Sequence, residues 1–135
     1  MILGTGIDLC EVARIEKAFA SAHGQRFRER VYTPAEIAYA ESTANRWERY
    51  AARFAAKEAG MKALGTGWRG GVGWRDLEVA NLRSGRPTLR LHGVAKQMAD
   101  SMGVRNISLS LTHTGVHAMA LVILESVRPQ RSLAC

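Results

Sequence analysis

The stretch ANRWERYAARFAAKEAGMKALGTG, residues 44–67, decides the fold. It is dense in alanine and contains no proline, which predicts one long helix over about residues 44–64. Gly65-Thr66-Gly67 follow the last helical residue and predict where the helix ends. Charged side chains recur along this helix, so we expect it to carry most of the chemistry.

Toward the N-terminus, the sequence predicts one strand and two helices. Gly4 and Gly6 interrupt a run of β-formers and indicate that another backbone approaches this strand closely. Thr33 followed by Pro34 is typical of a capped helix start. The predicted elements are a strand at 2–7, a helix from Asp8 to about residue 24, and a helix that starts at the Thr33 cap and runs to about residue 42.

Toward the C-terminus, the pattern changes to strands with one short helix. The predicted elements are strands at 76–82 and 87–91, a helix at 94–102, and strands at 106–112 and 116–124. This order predicts an α+β fold with a mostly antiparallel sheet and the long helix packed on it. We expect residues 1–125 to form the domain and residues 126–135 to form a tail.

Length and charge narrow the class of protein. The chain has 135 residues, 19 of them Lys or Arg and 12 Asp or Glu, so its net charge is +7 and an anionic partner is expected. The longest apolar run, residues 118–124, is far shorter than a membrane-spanning helix. Asp8 and Glu11 stand where a signal peptide would be uncharged, which predicts a cytoplasmic protein. Cys10 and Cys135 are too few for a disulfide framework.

Two acidic positions permit a structural and a functional interpretation. In the structural interpretation, Asp8 with Glu11 three residues later forms a capping box at a helix start. In the functional interpretation, the Asp8 carboxylate faces a crevice and holds a divalent cation. Glu58 and Lys62 lie one helical turn apart. As an exposed pair they would contribute only about 0.3–0.5 kcal/mol, whereas small neighbours such as Ala55 leave room for a ligand.

Basic, glycine and histidine residues are the remaining candidates. Arg49, Arg53 and Lys57 recur at four-residue spacing, and an anionic ligand would offset their mutual repulsion. The glycines at 65–73 suit either phosphate binding or a helix end with a loop. The strand at 106–112 has an apolar face that ends at His113 and a hydroxyl face, and His113 is either a phosphate contact or a structural residue.

Five segments, taken together, resemble a known family. They are GIDLCEVAR (6–14), FRERVYTPAE (27–36), RFAAKEAGMKALGTG (53–67), SGRP (84–87) and SLTHTGVHAMALV (110–122). In this order and spacing, the sequence resembles bacterial holo-acyl-carrier-protein synthase, the short single-domain branch of the 4′-phosphopantetheinyl transferases. The one departure in a motif is Thr112, which precedes His113 where the family usually has serine.

The resemblance implies a reaction and a metal site. Such enzymes transfer the 4′-phosphopantetheine group of coenzyme A to a serine of apo-acyl carrier protein and release adenosine 3′,5′-bisphosphate. Asp8 and Glu58 match the acids that bind Mg²⁺, or Mn²⁺, together with the pyrophosphate of coenzyme A. Lys62 matches the lysine that stabilises charge on the departing phosphate. Hard carboxylate oxygens are suitable Mg²⁺ ligands.

The resemblance also implies binding residues and partners. The residues implied for coenzyme A are Arg53, Lys57, Lys62, Gly65, His113 and Thr114, and those implied for docking the acidic carrier protein are Arg14, Lys17 and Arg28. Members of this length are homotrimers with sites at subunit interfaces, so His113 is expected to come from a neighbouring subunit. Neither a nucleic acid nor a membrane is an expected partner.

Three other interpretations compete with this one. The basic charge suits a nucleic-acid-binding domain, in which aromatic side chains such as Trp47, Tyr50 and Phe54 would lie among the basic ones. A catalytically silent trimeric binding protein is the second, although Asp8, Glu58 and Lys62 are all present. The third keeps the reaction but changes the acceptor to a polyketide or peptide carrier.

Overall fold

The computed structural model describes residues 1–65 and 70–127 and has an α+β fold. Its elements are β1 (Ile2–Glu11), α1 (Val12–Ala20), α2 (Gly24–Val31), α3 (Pro34–Glu41), α4 (Arg46–Leu64), β2 (Leu77–Asn81), β3 (Pro87–Leu91), α5 (Gly93–Met102), β4 (Asn106–His113) and β5 (His117–Glu125). A three-stranded antiparallel sheet has the order β1-β5-β4, and β2 and β3 form a separate hairpin. The predicted fold class and both predicted hairpins are confirmed. Of the expected tail, only residues 126 and 127 are described.

The first strand is longer than the sequence predicts, and this changes the position of Asp8. β1 pairs with β5 as far as Glu11 opposite His117, so Asp8 lies inside the strand, opposite Ala120. Helix α1 begins only at Val12 and has no side-chain capping bond. The predicted capping box at Asp8 and Glu11 is therefore wrong, because β5 supplies ladder partners along the whole segment. The carboxylate of Asp8 is left available for other chemistry.

The helices before α4 differ from the prediction in one respect. The basic segment after α1 forms a helix of its own, α2, whose Val31 is buried while most of its other side chains are charged or polar. The predicted helix start at Thr33 is confirmed. The Thr33 Oγ1 accepts a hydrogen bond from the Glu36 N–H at 3.2 Å, and the Thr33 N–H donates to Glu36 Oε1 at 2.9 Å. These two bonds form a capping box with Pro34 in the first turn.

The core lies between α4 and the inner face of the three-stranded sheet. The α4 residues buried there are mostly alanines, and Val122 and Leu124 of β5 face them. At the other end of α4, Phe19 packs against Tyr50, with ring centroids 4.6 Å apart, and against Trp47 at 5.1 Å. Small side chains thus let the sheet approach α4 closely at one end, and aromatic rings fill the wider space at the other.

Two glycines allow β1 to lie directly on α4. A Cβ at Gly6 would collide with the carbonyl oxygen of Ala59, and a Cβ at Gly4 would collide with that of Ala63. The close backbone approach predicted from Gly4 and Gly6 is confirmed, and the approaching backbone is that of α4. This contact sets the distance between the strand that carries Asp8 and the helix that carries Glu58.

The outer face of the three-stranded sheet is apolar and exposed. Ile7 pairs with Leu121 and Leu9 pairs with Met119 across β1 and β5, and all four side chains point away from the core. Ile7 and Leu9 are each 57% exposed. A contiguous apolar patch of this kind is typical of a surface that another protein covers. Within the described ranges, no helix is long and apolar enough to cross a membrane.

We predict that Gly6→Ala destabilises the protein by about 2 kcal/mol or more, because the added methyl collides with backbone that belongs to a packed helix. Urea unfolding measures the loss. Gly115→Ala is the matched control: a Cβ at Gly115 meets nothing within 4 Å, so its effect should stay within about 0.5 kcal/mol. Equal stability of the two variants would contradict the close contact between β1 and α4.

Candidate active site

Asp8 and Glu58 come together at the contact between β1 and α4. Asp8 shares the inward side of β1 with Gly6 and Cys10, and Glu58 is half-buried on α4. Burial raises the pKa of Glu58, and Asp8 raises it further through its negative charge and a hydrogen bond between the two side chains. Arg14 and Lys62 oppose this shift by their positive charges. The two carboxyl groups predicted to share a metal ion are thus neighbours.

Lys62 completes this group from the next turn of α4. Its Nζ donates to Asp8 Oδ1 at 3.1 Å and to the Ile7 carbonyl oxygen at 3.0 Å. The Lys62 side chain is 55% exposed, whereas that of Asp8 is only 11% exposed. The group therefore has two acidic side chains and one exposed ammonium at a solvent-accessible edge of the core.

The donor chemistry of this group fits Mg²⁺ or Mn²⁺. Asp8 and Glu58 offer hard oxygen atoms, and Mg²⁺ is commonly held by one or two carboxylates together with water and substrate phosphates. Within residues 1–65 and 70–127, no cluster of three or more His, Cys, Asp or Glu side chains could hold a metal ion. A cation at these two acids would take its other ligands from water and substrate.

A second polar site is a cavity of about 260 Å³ between α3, α4, the β2–β3 turn and β4. The residues that line it include Tyr39, Arg49, Arg53, Gly85, Pro87 and His113. The Arg53 guanidinium carbon lies 4.0 Å from the centre of the Tyr39 ring, and that of Arg49 lies 4.3 Å from it. Among the described residues, Arg53 Nε has no hydrogen-bond partner. Two arginines beside a histidine make this cavity suitable for an anionic ligand.

The cavity contains two of the residues predicted to bind coenzyme A, and it adds others. Arg53 and His113 were predicted, whereas Tyr39 was not, and Arg49 was noted only as part of the cationic row. The Tyr39 ring, which contacts both arginines, belongs to α3. Helical spacing within α4 could not predict this contact, because Tyr39 lies on a different helix. A larger cavity of about 410 Å³ beside α5 contains none of the predicted site residues.

The carboxylate group and the Arg53 cavity lie on different sides of α4. Arg53 and Glu58 are five residues apart, which is roughly 140° around a helix. None of Asp8, Glu58 and Lys62 lines the Arg53 cavity. One chain therefore carries two polar sites, the carboxylate group and the Arg53 cavity, that face in different directions.

The predicted ligand role of Lys57 is not supported. The Lys57 side chain is fully buried, and its Nζ donates to Glu36 Oε1 at 2.8 Å, to the Leu77 carbonyl at 2.6 Å and to the Trp74 carbonyl at 3.1 Å. An ammonium group has three N–H donors, so none is left for a phosphate. Burial lowers the pKa of Lys57, and Glu36 counteracts this. Lys57 instead ties α4 to α3 and to the start of β2.

Gly65 and Thr114 have identifiable structural roles. Gly65 ends α4 with a φ of 78°, and its N–H donates to the Met61 and Lys62 carbonyls. The Thr114 Oγ1 accepts hydrogen bonds from the N–H groups of Val116 and His117 in the β4–β5 turn. Of the predicted glycine loop, residues 66–69 lie outside the described residues.

Two of the three predicted docking residues line one cavity. Arg14 and Lys17 line a cavity of about 420 Å³ with Leu9, Glu11 and Ala13. Arg28 lies on α2, where it donates to Glu41 at 3.4 Å. Arg14 and Lys17 are both exposed, and the positive charge of Arg14 acts on Glu58.

The aromatic residues of α4 belong to the core. Tyr50 and Phe54 are buried, and Trp47 packs partly buried against the same cluster. Aromatic side chains that are packed in this way offer no faces on which nucleic-acid bases could stack, which removes the feature that favoured a nucleic-acid-binding domain.

Comparison with known proteins identifies the family. The model of the 4′-phosphopantetheinyl transferase superfamily matches residues 4–122. A holo-[acyl-carrier-protein] synthase of Solibacter usitatus is 64% identical over 126 residues, which are 93% of this chain and 100% of the relative. The chain belongs to the 4′-phosphopantetheinyl transferase superfamily, in the branch of the holo-acyl-carrier-protein synthases, as its sequence motifs predicted. It is an enzyme of the transferase class.

Solved structures share its fold. The crystal structure of the holo-[acyl-carrier-protein] synthase from Neisseria meningitidis has a TM-score of 0.83 and 32% sequence identity and covers 93% of this chain and 99% of its own. A second structure, from Bacillus anthracis in complex with coenzyme A (3′,5′-ADP), has a TM-score of 0.75 and 37% identity and covers 94% and 99% of the two chains. The predicted fold is thus confirmed.

We predict that Lys57→Met costs about 3–5 kcal/mol of stability, because it leaves Glu36 charged and without its ammonium partner inside the protein. Chemical unfolding measures this. Lys96→Met is the matched control, since Lys96 is 59% exposed and pairs with the equally exposed Asp100, so its effect should stay within about 1 kcal/mol. A Lys57→Met variant of normal stability with weakened coenzyme A binding would restore the ligand role.

Proposed function

We propose that the protein transfers 4′-phosphopantetheine from coenzyme A to a serine hydroxyl of an apo-acyl carrier protein and releases adenosine 3′,5′-bisphosphate. The observation that carries the proposal is the meeting of Asp8, Glu58 and Lys62 at one exposed edge of the core. The names of the relatives and the coenzyme A complex of the Bacillus anthracis protein support it.

The chemistry follows from these charges. Asp8 and Glu58 would hold Mg²⁺, which supplies charge neutralisation at the pyrophosphate and polarises the phosphorus under attack. The serine hydroxyl gives its proton to a water molecule oriented by a carboxylate as its oxygen forms a bond to the β-phosphorus, and the bond from this phosphorus to the bridging oxygen of the pyrophosphate breaks. Lys62 stabilises the negative charge that develops on the leaving phosphate. Arg53 and His113 bind the anionic nucleotide end, which keeps the pyrophosphate in place.

We further propose a homotrimer in which each active site is shared between two subunits. The exposed apolar face of β1 and β5 supports the association, since a second copy would remove this surface from water. The carboxylate group and the Arg53 cavity, which we call half-sites, support the sharing of each active site because they lie on different sides of α4. The carboxylates of one subunit would face the Arg53 cavity of its neighbour, so that coenzyme A spans both.

The carrier protein would dock beside the carboxylates. Arg14 and Lys17 line one cavity, the charge of Arg14 acts on Glu58, and the net charge of +7 suits an acidic partner. Arg28 is a weaker candidate because it donates to Glu41.

We retain the cytoplasm as the proposed location and residues 1–125 as the proposed domain. The assay below decides between fatty-acid, polyketide and peptide carriers.

We predict that an apo-acyl carrier protein incubated with this protein, coenzyme A and Mg²⁺ gains the mass of one phosphopantetheine. Intact-protein mass spectrometry measures the gain, and omission of Mg²⁺ should abolish it. Unchanged mass across fatty-acid, polyketide and peptide carriers would refute the proposed reaction.

In the same assay, Glu58→Gln should lower the rate at least about a hundredfold, because losing a metal ligand removes several kcal/mol of transition-state stabilisation. Glu48→Gln is the matched control, since it makes the same chemical change in the first turn of α4, ten residues before Glu58. A Glu58→Gln variant as active as Glu48→Gln would exclude metal binding by Glu58.

We predict that two inactive variants, Glu58→Gln and Arg53→Gln, regain activity when they are refolded together. In randomly mixed trimers, about a quarter of the interfaces pair an intact Glu58 with an intact Arg53 from the neighbour, so activity should reach roughly a quarter of the wild-type value. Steady-state rates measure the recovery.

The control mixture combines Glu58→Gln with Lys62→Met, which damage the same half-site. No subunit in that mixture has Asp8, Glu58 and Lys62 all intact, so no activity should return. If neither mixture recovers activity, each site is built within one chain and the shared-site proposal is wrong.

A further inference from the structure

The Lys62 ammonium occupies the position where a metal ion would be expected to meet Asp8. Its Nζ contacts two oxygen atoms, Asp8 Oδ1 and the Ile7 carbonyl oxygen, at 3.1 and 3.0 Å. Oxygen atoms of these two kinds are also the ligands that hard divalent cations prefer. The ammonium and a divalent cation therefore compete for the same negative charge.

We propose that Lys62 is a displaceable counter-ion of Asp8: a divalent cation that binds at Asp8 and Glu58 expels the ammonium, and the freed lysine turns to the anionic substrate. The inference rests on the proposed function, since it assumes the cation site. It goes beyond that function by giving Lys62 a second role, before the reaction begins, in setting cation affinity.

The side chain of Lys62 is free to make this exchange. It is 55% exposed, and its long stem places the charge in water with little loss of packing. Lys57, only five residues earlier on the same helix, shows the opposite case. It is fully buried and bound to Glu36 and two carbonyl oxygens, so it cannot leave without breaking the core.

The exchange couples cation binding to anion binding. With Lys62 on Asp8, a cation must displace one positive charge to enter. An anionic phosphate that draws Lys62 away removes this competition and so increases the affinity for the cation. Because linkage is reciprocal, the cation increases the affinity for the phosphate by the same factor. The lysine thereby favours the state in which both ligands are bound.

The test uses Mn²⁺ alone, without coenzyme A or carrier, and measures its affinity by calorimetry or electron paramagnetic resonance. Lys62→Met should bind Mn²⁺ about three- to tenfold more tightly than wild type, because a competing charge has been removed. Lys62→Arg keeps the charge and should resemble wild type. Lys96→Met removes an exposed lysine from an acid on α5 and should also leave the affinity unchanged.

A measurement on the wild-type protein tests the displacement of Lys62 directly. The ¹⁵N resonance of the Lys62 ammonium, identified by its absence in Lys62→Met, should shift on addition of Mg²⁺, and the Lys96 resonance should not. Equal Mn²⁺ affinity in wild type and Lys62→Met, or an unmoved Lys62 resonance on saturation, overturns the counter-ion role and leaves the metal site intact. No saturable binding by wild type, or binding that persists in Asp8→Asn, overturns the metal site as well.

Discussion

The contact between β1 and α4 is the constraint on which the rest of the molecule depends. Gly4 and Gly6 bring the strand so close to the helix that backbone meets backbone at Ala59 and Ala63. This contact places Asp8 beside the α4 carboxylate and lets the Lys62 ammonium contact both the Asp8 side chain and the β1 backbone. The geometry of the charged group is therefore a consequence of packing rather than of the charges themselves, which by repulsion would separate two acids.

Helix α4 serves different purposes on different sides. One side carries the carboxylate of Glu58, another carries the arginines that stack on Tyr39, and a third holds Lys57 inside the core. Since both polar sides belong to one helix, their directions are fixed relative to each other. The proposed trimer would let the two sides of neighbouring subunits meet at one ligand.

The sequence predicted those features that depend on residues close together in the chain. The Thr33 cap depends on residues three positions apart, and Gly4 and Gly6 by themselves indicate that another backbone approaches β1. The predictions were wrong where a segment far away in the sequence determines the environment of a residue. Asp8 looks like a helix cap until β5, more than a hundred residues later, supplies its ladder partner. Lys57 falls into a cationic row by spacing, but the buried Glu36 and the carbonyl groups before β2 determine its environment. The group of Asp8, Glu58 and Lys62 was found through family motifs, because spacing alone left each of them ambiguous.

The glycine contact also limits how the protein can vary. At positions 4 and 6, any side chain would collide with main-chain atoms of α4, not with the side chains of Ala59 or Ala63. Those alanines cannot be trimmed to make space, because the obstructing oxygen atoms are present whatever residue occupies the position. A harmful substitution at either glycine therefore has no local second-site suppressor on the facing helix, and recovery of the fold would require reversion or a displacement of the whole helix.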